Sequence, residues 1–460
     1  MQYRGISYIK VFLFFITFVA FVRLIGFTLV FGEKSLQLDF SAFYTAGESV
    51  NAHLSPYKNH VAQSPPIWDG YNIYKHSRFL YPPLVAYIFS FVSLLSYHAA
   101  KYLWMYLSLT AVIAALLLSF KASDIKLDIK KGLIVLFLLF IFHPLIKLLA
   151  FGQISAVTLF FMILGIYLIC KKKHEGLAGL FFAIAVLLKL HNLLILPFIL
   201  LRKKWKVLGG FVSGGFTIFI LTLIFCGPAQ IISYVTVDLP RIAAYGELGT
   251  KDMMLPESLV SSLHNEQGIT IKDGREYPLS REGFNWAEYA TLTQTPIGDL
   301  IRGLFSELKL YNSQAIISGL IFIILFGLLS LKEFKLGLGA DKTQYHEFLF
   351  WQFAFVVILL SAPLTWDMNT VWLITLFPIV VSGLLDSRSP LIRFSYILIS
   401  VGLIVVAVPN FRFFPLLVPF GFLSDINKYQ YIIGEIIILA GFFIFPFDRK
   451  SDHPENSLAS

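Results

Sequence analysis

One acidic residue near the start of the chain is followed in the sequence by a series of tyrosines. Asp39 follows the first long apolar run, and Tyr44, Tyr57 and Tyr81 come before or at the start of the next one. A carboxylate can accept a proton from a hydroxyl group, and aromatic rings beside it could stack against the face of a sugar. An ordinary solvated aspartate in a polar loop is the alternative, and the spacing alone leaves both interpretations open.

Basic residues inside apolar runs form a second group of candidates. Arg23, Lys147 and Lys189 each lie within such a run. A charge is costly in hydrocarbon, so residues of this kind are candidates for function by default. Cations on facing helices could hold a phosphate and stabilise the charge that develops as it departs. Arg23 and Lys147 could instead extend to the nearest membrane surface, whereas Lys189 lies in the middle of its run.

Polar side chains also occur where apolar runs are interrupted. Gln153 follows Gly152 at a predicted helix break, where its amide could bond a sugar hydroxyl or cap freed backbone groups. Later in the chain, Trp366, Asp367 and Asn369 lie just before another apolar run. Asp367 or Asn369 could hydrogen-bond a sugar, or cap the helix that follows.

The composition indicates which elements must position these residues. Hydrophobic residues make up 57% of the chain and charged residues 14%, whereas a soluble domain carries about 25% charged residues. The net charge of +9 comes from Lys and Arg clustered at the ends of apolar runs, so we assign no nucleic-acid partner. The two cysteines predict no disulfide framework and no metal site. Membrane lipids therefore surround most of this chain.

The apolar runs predict an all-α polytopic membrane protein, with residues 1–460 as one integral membrane domain. About twelve runs are near the ~20 residues that cross a bilayer. The predicted helices lie at 8–31, 80–97, 99–119, 132–150, 154–170, 177–201, 207–226, 313–330, 345–361, 370–385, 391–408 and 429–446. Two large polar intervals, 32–80 and 227–311, interrupt them.

Basic clusters predict the orientation, because Lys and Arg are enriched on the cytoplasmic side. With residues 202–204 inside, both polar intervals lie outside as loops, and residues 447–460 form a cytoplasmic tail. Strict alternation would export the clusters at 121–131 and 171–173, against the same rule. A run that dips into the membrane and returns would remove the conflict, with breaks expected at His143-Pro144 or at residues 189–191.

Taken together, the order of the motifs resembles that of glycosyltransferase family 87, the polyprenyl-phosphate-mannose-dependent mannosyltransferases with the C-type glycosyltransferase fold. The motifs that carry the resemblance are Asp39, Tyr44, Pro56-Tyr57, Tyr81-Pro82-Pro83-Leu84, Gly152-Gln153-Ile154-Ser155 and Lys189 ahead of Pro197. The resemblance implies inverting transfer of a hexose, usually mannose, from a polyprenyl-phosphate donor to a lipid or glycan acceptor. It places the reaction on the outer face of the bacterial inner membrane. Asp39 matches the family's acidic residue in the first loop, taken as the catalytic base, and Lys189 matches the family's lysine.

One departure from the family concerns the late outer loop. The family often has one or two histidines after its Trp, whereas this chain has Met368 and Asn369. No nucleotide-sugar signature or Gly-rich phosphate loop is present, so we expect no cofactor, and metal dependence stays open. A transporter or lipid flippase is the alternative function, but it should carry charged, broken sites in both halves. Here the ionisable residues within runs lie mainly before Asn192.

Overall fold

The computed structural model describes residues 8–34, 37–57, 79–239, 269–272, 275–278, 314–335, 343–362, 367–387, 389–408 and 430–445. Each of the twelve predicted apolar runs contains a helix. In the first half of the chain these are α1 (Tyr8–Lys34), α2 (Leu38–Asn51), α3 (Pro83–Val92), α4 (Tyr97–Ser123), α5 (Ile129–Ile141), α6 (His143–Phe151), α7 (Ser155–Cys170), α8 (Glu175–Leu188), α9 (Leu196–Leu201) and α10 (Trp205–Ser233).

The second half adds five α-helices and a short hairpin. The helices are α11 (Gln314–Lys335), α12 (Gln344–Ser361), α13 (Phe377–Asp386), α14 (Pro390–Ala407) and α15 (Gln430–Ile444). The hairpin pairs β1 (Ile269–Lys272) with β2 (Arg275–Pro278) in antiparallel register. Short helices of other types join the α-helices: 3₁₀ turns at Leu190–Ile195 and Asp367–Leu376, and a π-helical turn at Tyr234–Asp238.

Helix length bears on how many of these elements cross a membrane. Five helices in the described ranges are long and apolar enough to do so, or six if α5 and α6, bent by 49° at their junction, form one span. The other apolar helices outside this group are mostly shorter, at 10–17 residues. The chain is thus a helical membrane protein, while about twelve crossings remains a prediction.

Two helical stretches were not predicted: α2, and residues 228–238, which continue α10 beyond a kink at Gly227 into the second predicted outer loop. Residues 38–51 were expected in the first outer loop, but they form α2, which packs against α3 and buries Phe40, Phe43 and Tyr44. The segment LDFSAFYTAGESVN mixes small polar residues with aromatic ones, so it lacks the uniform apolar character of a membrane span. It is stabilised by packing against protein rather than by contact with lipid. Asp39 is therefore a helical residue and not a loop residue.

Both predicted breaks are present, and the second one reverses the direction of the chain. The run at 177–201 is not one helix, because α8 ends before Lys189 and a 3₁₀ turn with α9 follows. Lys204 Nζ lies 3.3 Å from Glu175 Oε1, so the two ends of this segment meet. A segment that begins and ends at one place enters the bundle and returns.

The basic clusters consequently lie at one end of the bundle. Lys171 Nζ lies 3.4 Å from Asp124 at the end of α4, and Arg202 pairs with Glu347 at the start of α12. Gln344, one turn before Glu347, donates to the backbone carbonyl of Lys121. The conflict with the positive-inside rule therefore disappears, since clusters that alternation would have separated share an end.

The opposite end of α4 contacts α2. Tyr97, at the start of α4, packs edge-on against Tyr44 of α2, with ring centroids 5.0 Å apart. A helix of 27 residues is about 40 Å long. The middle of α2, where Tyr44 lies, and the basic clusters are thus separated by roughly the thickness of a membrane.

Helix α12 lies at the centre of the bundle, and α1 and α10 lie at its perimeter. Every residue of α12 from Glu347 to Ser361 is buried. In contrast, only 22% of the apolar window of α1 and 17% of that of α10 is buried. Apolar side chains exposed in this way suit contact with lipid tails, whereas buried polar side chains must be enclosed by the inner helices.

Candidate functional site

Gln37 sets the position of Asp39 at the start of α2. Its backbone is in the left-handed region, with φ 54°, and its side chain is buried. Gln37 Nε2 donates to the carbonyl of Leu149 in α6 at 3.0 Å, which ties the start of α2 to the end of α6. Asp39 lies in the first turn of α2, where the helix dipole favours a negative charge.

Gly152 is the residue at which α6 meets α2. Its φ is +69°, and a Cβ built there would lie 2.5 Å from Phe40 Cβ. Trp104 Nε1 donates to the Gly152 carbonyl at 2.7 Å and fixes the turn from a third helix. Only glycine has both the backbone freedom and the small size for this position, so the residues after it, including Gln153 and Ser155, are held in register with α2.

Lys189 is buried within the bundle and hydrogen-bonded to two other segments. Its Nζ donates to Ser155 Oγ at 2.7 Å and to Asn369 Oδ1 at 2.5 Å. Ser155 Oγ and Asn369 Oδ1 are themselves 2.6 Å apart. All three residues are buried, with exposed fractions of 8%, 0% and 1% for Lys189, Ser155 and Asn369. We call these three residues the Lys189 cluster.

The Lys189 cluster and Asp39 belong to one site. Asp39 is close enough for its charge to act on both Lys189 and the Tyr81 hydroxyl. A carboxylate, an ammonium group and a phenol therefore lie within electrostatic range of one another, although they come from α2, the end of α8 and the start of α3. An acid–base group beside a cation can move a proton at one atom and stabilise an anion at another.

Aromatic rings form one side of this site. The ring centroids of Tyr81 and Phe43 are 4.7 Å apart, and Tyr57 donates its hydroxyl to the Tyr81 carbonyl at 2.9 Å. Tyr57 also stacks on Tyr234, the first residue of the π-helical turn, with centroids 5.5 Å apart. Burial raises the pKa of the Tyr57 hydroxyl, so this group stays protonated. Two of the three predicted tyrosines thus lie next to each other near Asp39.

The third tyrosine, Tyr44, anchors α2 in this structure. Its hydroxyl donates to the Leu95 carbonyl at 2.7 Å, and its side chain is 3% exposed. Burial raises the pKa of Tyr44 to about 12, which keeps the hydroxyl as a donor. The predicted contact between Tyr44 and a sugar stays a prediction.

Arg23 and Lys147 both lie near His143. Both act electrostatically on His143, at the junction of α5 and α6. The Arg23 guanidinium lies 4.7 Å from the Phe27 ring centroid, and Lys147 Nζ lies 5.6 Å from that of Tyr431. Of the three predicted phosphate-binding cations, Lys189 is the one that these contacts place with Asp39.

Of the other predicted site residues, Gln153 borders the Lys189 cluster, whereas the structure says little of Trp366 and Asp367. Gln153 Oε1 lies 3.4 Å from Ser155 Oγ, and the Gln153 backbone N–H donates to the Leu148 carbonyl, so the residue both caps α6 and borders the Lys189 cluster. Trp366 lies outside the described residues, and for Asp367 only its place at the start of a 3₁₀ turn is described. Within the described ranges, no group of three or more His, Cys, Asp or Glu side chains could hold a metal ion.

Sequence reasoning missed the roles of Gln37 and Ser155. Ser155 ends the quoted motif at residues 152–155, which was a signal for a polar role. Gln37 carried no signal, because its partner Leu149 is 112 residues away. For Asn369 the sequence suggested a sugar contact or a helix cap, whereas the structure joins it to Lys189, 180 residues away.

The fold and the site define a class of protein before any comparison: a helical membrane protein with a carboxylate and an ammonium group enclosed between helix ends. A family model for glycosyltransferase family 87 matches residues 79–277. The match agrees with the resemblance predicted from the motifs and supports membership in that family, and it indicates a membrane glycosyltransferase. The search of curated proteins found no match. Asp39 and Asn369 lie on either side of the matched segment.

We predict that Gly152→Ala destabilises the protein and lowers its activity. An alanine with positive φ costs about 1–2 kcal/mol, and the contact with Phe40 adds to this. Thermal unfolding of the purified protein measures the effect. Gly209→Ala is the matched control, because a Cβ at Gly209 meets nothing within 4 Å. Equal melting temperatures for the two variants would contradict the role given to Gly152.

Proposed function

We propose that the chain is a hexosyltransferase, a mannosyltransferase by its family resemblance, that takes its sugar from a polyprenyl-phosphate donor. The observation that carries the proposal is a buried Lys189, held by hydrogen bonds to Ser155 and Asn369, within electrostatic range of Asp39. The transfer of a sugar from a phosphate needs a base at the attacking oxygen and a cation at the departing one. These two residues supply both.

The reaction is a single displacement with inversion. The acceptor hydroxyl oxygen forms a bond to the anomeric carbon while the bond from that carbon to the phosphate oxygen breaks. Asp39 accepts the hydroxyl proton, and the bonding electron pair leaves with the phosphate. The Lys189 ammonium stabilises the negative charge on the departing group, inside a region that excludes water.

This mechanism needs no separate acid. A phosphate is a weak base, so it can depart without being protonated. Asn369 at the position where the family often has a histidine fits such a scheme, because an amide neither gives nor takes a proton at neutral pH. Ser155 and Asn369 hold the ammonium group in place, which reduces the reorganisation needed as charge develops.

The charge distribution supports a site that opens to the outer face of the bacterial inner membrane. Basic clusters occupy the end of the bundle away from the α2–α4 contact, and such clusters face the cytoplasm. The lipid donor then reaches Lys189 from the side of the bilayer, and the lipid or glycan acceptor approaches through the aromatic side formed by Tyr57 and Tyr81.

We predict that Asp39→Asn lowers transfer from polyprenyl-phosphate mannose by about 10²–10⁴-fold, because asparagine keeps the size but cannot accept the proton. Glu48→Gln, in the same helix, is the matched control and should cost little. Transfer by purified protein in detergent measures both. Near-normal turnover by a folded Asp39→Asn protein would refute the mechanism, and equal losses in both variants would indicate damage to α2.

Lys189→Ala should weaken use of the lipid donor by about ten- to a hundredfold, because a hydrogen bond to a charged group contributes about 1.5–3 kcal/mol. Lys189→Arg should retain more activity, since it keeps the charge but not the geometry. The exposed Lys206 provides the control variant, Lys206→Ala. If Lys189→Ala used the lipid donor as well as the wild type does, the phosphate-binding role would be assigned to Lys147 or Arg23 instead.

Single-cysteine labelling in whole cells tests the orientation, after Cys170 and Cys226 are replaced by serine. We expect a cysteine at position 54 to react with a membrane-impermeant maleimide from outside. Cysteines at positions 172 and 203 should react only after the membrane is opened, because both basic clusters share the cytoplasmic end. Outside labelling at position 172 alone would show that the segment at 175–201 crosses the membrane instead of returning.

A further inference from the structure

Asn369 presents an unfilled hydrogen-bond donor inside the candidate site. Its Oδ1 is 2.5 Å from Lys189 Nζ and 2.6 Å from Ser155 Oγ. Its Nδ2 is buried and has no hydrogen-bond partner among the residues that the structure describes. The residue is 1% exposed. A buried donor without an acceptor is costly, so a group of this kind in a native protein calls for an explanation.

The orientation of the amide follows from its neighbour. An ammonium group can only donate, so the atom of Asn369 that faces Lys189 must be the oxygen. The opposite orientation would bring two donors together. Nδ2 is therefore directed away from Lys189 Nζ and is available to a bound molecule.

We propose that Asn369 Nδ2 donates a hydrogen bond to a phosphate oxygen of the lipid-linked sugar donor, next to the ammonium of Lys189; this inference rests on the proposed function. Asn369 then has two tasks. Its oxygen positions Lys189, and its nitrogen binds the anion. Lys189 donates two of its three N–H groups to Ser155 and Asn369. Among the residues that the structure describes, no acceptor is seen for the third N–H, which can donate to the same phosphate.

The unfilled groups match a phosphate better than a sugar hydroxyl. The free side of Asn369 and the remaining N–H of Lys189 offer donors only. A phosphodiester oxygen only accepts, whereas a hydroxyl also brings a proton that needs an acceptor. Hydrogen bonds from two fixed donors to one anion are shorter and stronger than those between neutral groups.

The charges at this site change during the reaction. One ammonium group and one neutral amide face the ligand, and the carboxylate of Asp39 is close enough to act on Lys189. A phosphodiester donor carries a single negative charge, whereas the monoester product carries about −1.5 to −2 at neutral pH. The ammonium group of Lys189 therefore gains in interaction energy as negative charge accumulates on the departing phosphate.

Asn369→Asp separates the two tasks of the residue. Aspartate keeps the size and the acceptor toward Lys189, but it lacks the N–H group and adds a negative charge. We expect the KM for the lipid-linked donor to rise at least ten- to a hundredfold, with a smaller change in kcat. Asn369→His, which regains a ring N–H, should recover part of the loss. Asn51→Asp, an exposed substitution of the same kind, should leave KM unchanged.

An unchanged KM in a folded Asn369→Asp protein would overturn the inference and leave Asn369 as a residue that only positions Lys189. If Asn369→Asp does not fold, Asn369→Leu, which removes both polar atoms, replaces it in the test. A wild-type KM in Asn369→Leu would also overturn the inference. Binding of farnesyl phosphate to the purified full-length protein distinguishes this result from failure of the proposed function. If the wild type binds farnesyl phosphate, Asn369→Asp does not bind it, and neither protein transfers sugar, the proposed function is wrong, but binding of a lipid phosphate by Asn369 is supported. If the wild type does not bind it, both fall.

Discussion

The buried ammonium group of Lys189 is the charge on which the arrangement of the site depends. An ion removed from water loses several kcal/mol of solvation unless hydrogen bonds and an opposite charge replace it. Ser155 and Asn369 supply the hydrogen bonds, and Asp39 supplies the opposite charge. Four separate elements must therefore meet at one point: the start of α2, the turn after α6, the end of α8 and the 3₁₀ turn at Asp367–Leu376.

The break at Lys189 also sets the path of the chain. Because α8 ends there and α9 runs back, the segment at 175–201 returns to the end from which it came. Helix breaks inside a membrane protein are tolerated where protein or a cavity satisfies the freed backbone groups. The same break thus delivers a cation into the interior, frees polar groups around it and keeps the basic clusters together at one surface. The topology and the chemistry have a common cause.

The sequence predicts well the features that depend on local composition. Apolar runs give the helices, and Lys189 is recognisable because it lies in mid-run. The assignment of Asp39 and residues 152–155 to family motifs stays a prediction. Contacts between segments that are far apart in the sequence cannot be predicted from local composition. The bond from Lys189 to Asn369 spans 180 residues, and that from Gln37 to Leu149 spans 112. Helix α2 was missed because packing against α3, rather than hydrophobicity, stabilises it.

The most direct measurement of the central claim is the choice of donor. Purified protein in lipid nanodiscs is incubated with an acceptor extract from bacterial membranes and with radiolabelled mannose, attached either to polyprenyl phosphate or to a nucleoside diphosphate. The proposed roles of Asp39 as base and Lys189 as the cation at the departing phosphate predict labelled product from the lipid donor alone. Labelled product from the nucleotide donor, with none from the lipid donor, would contradict the account.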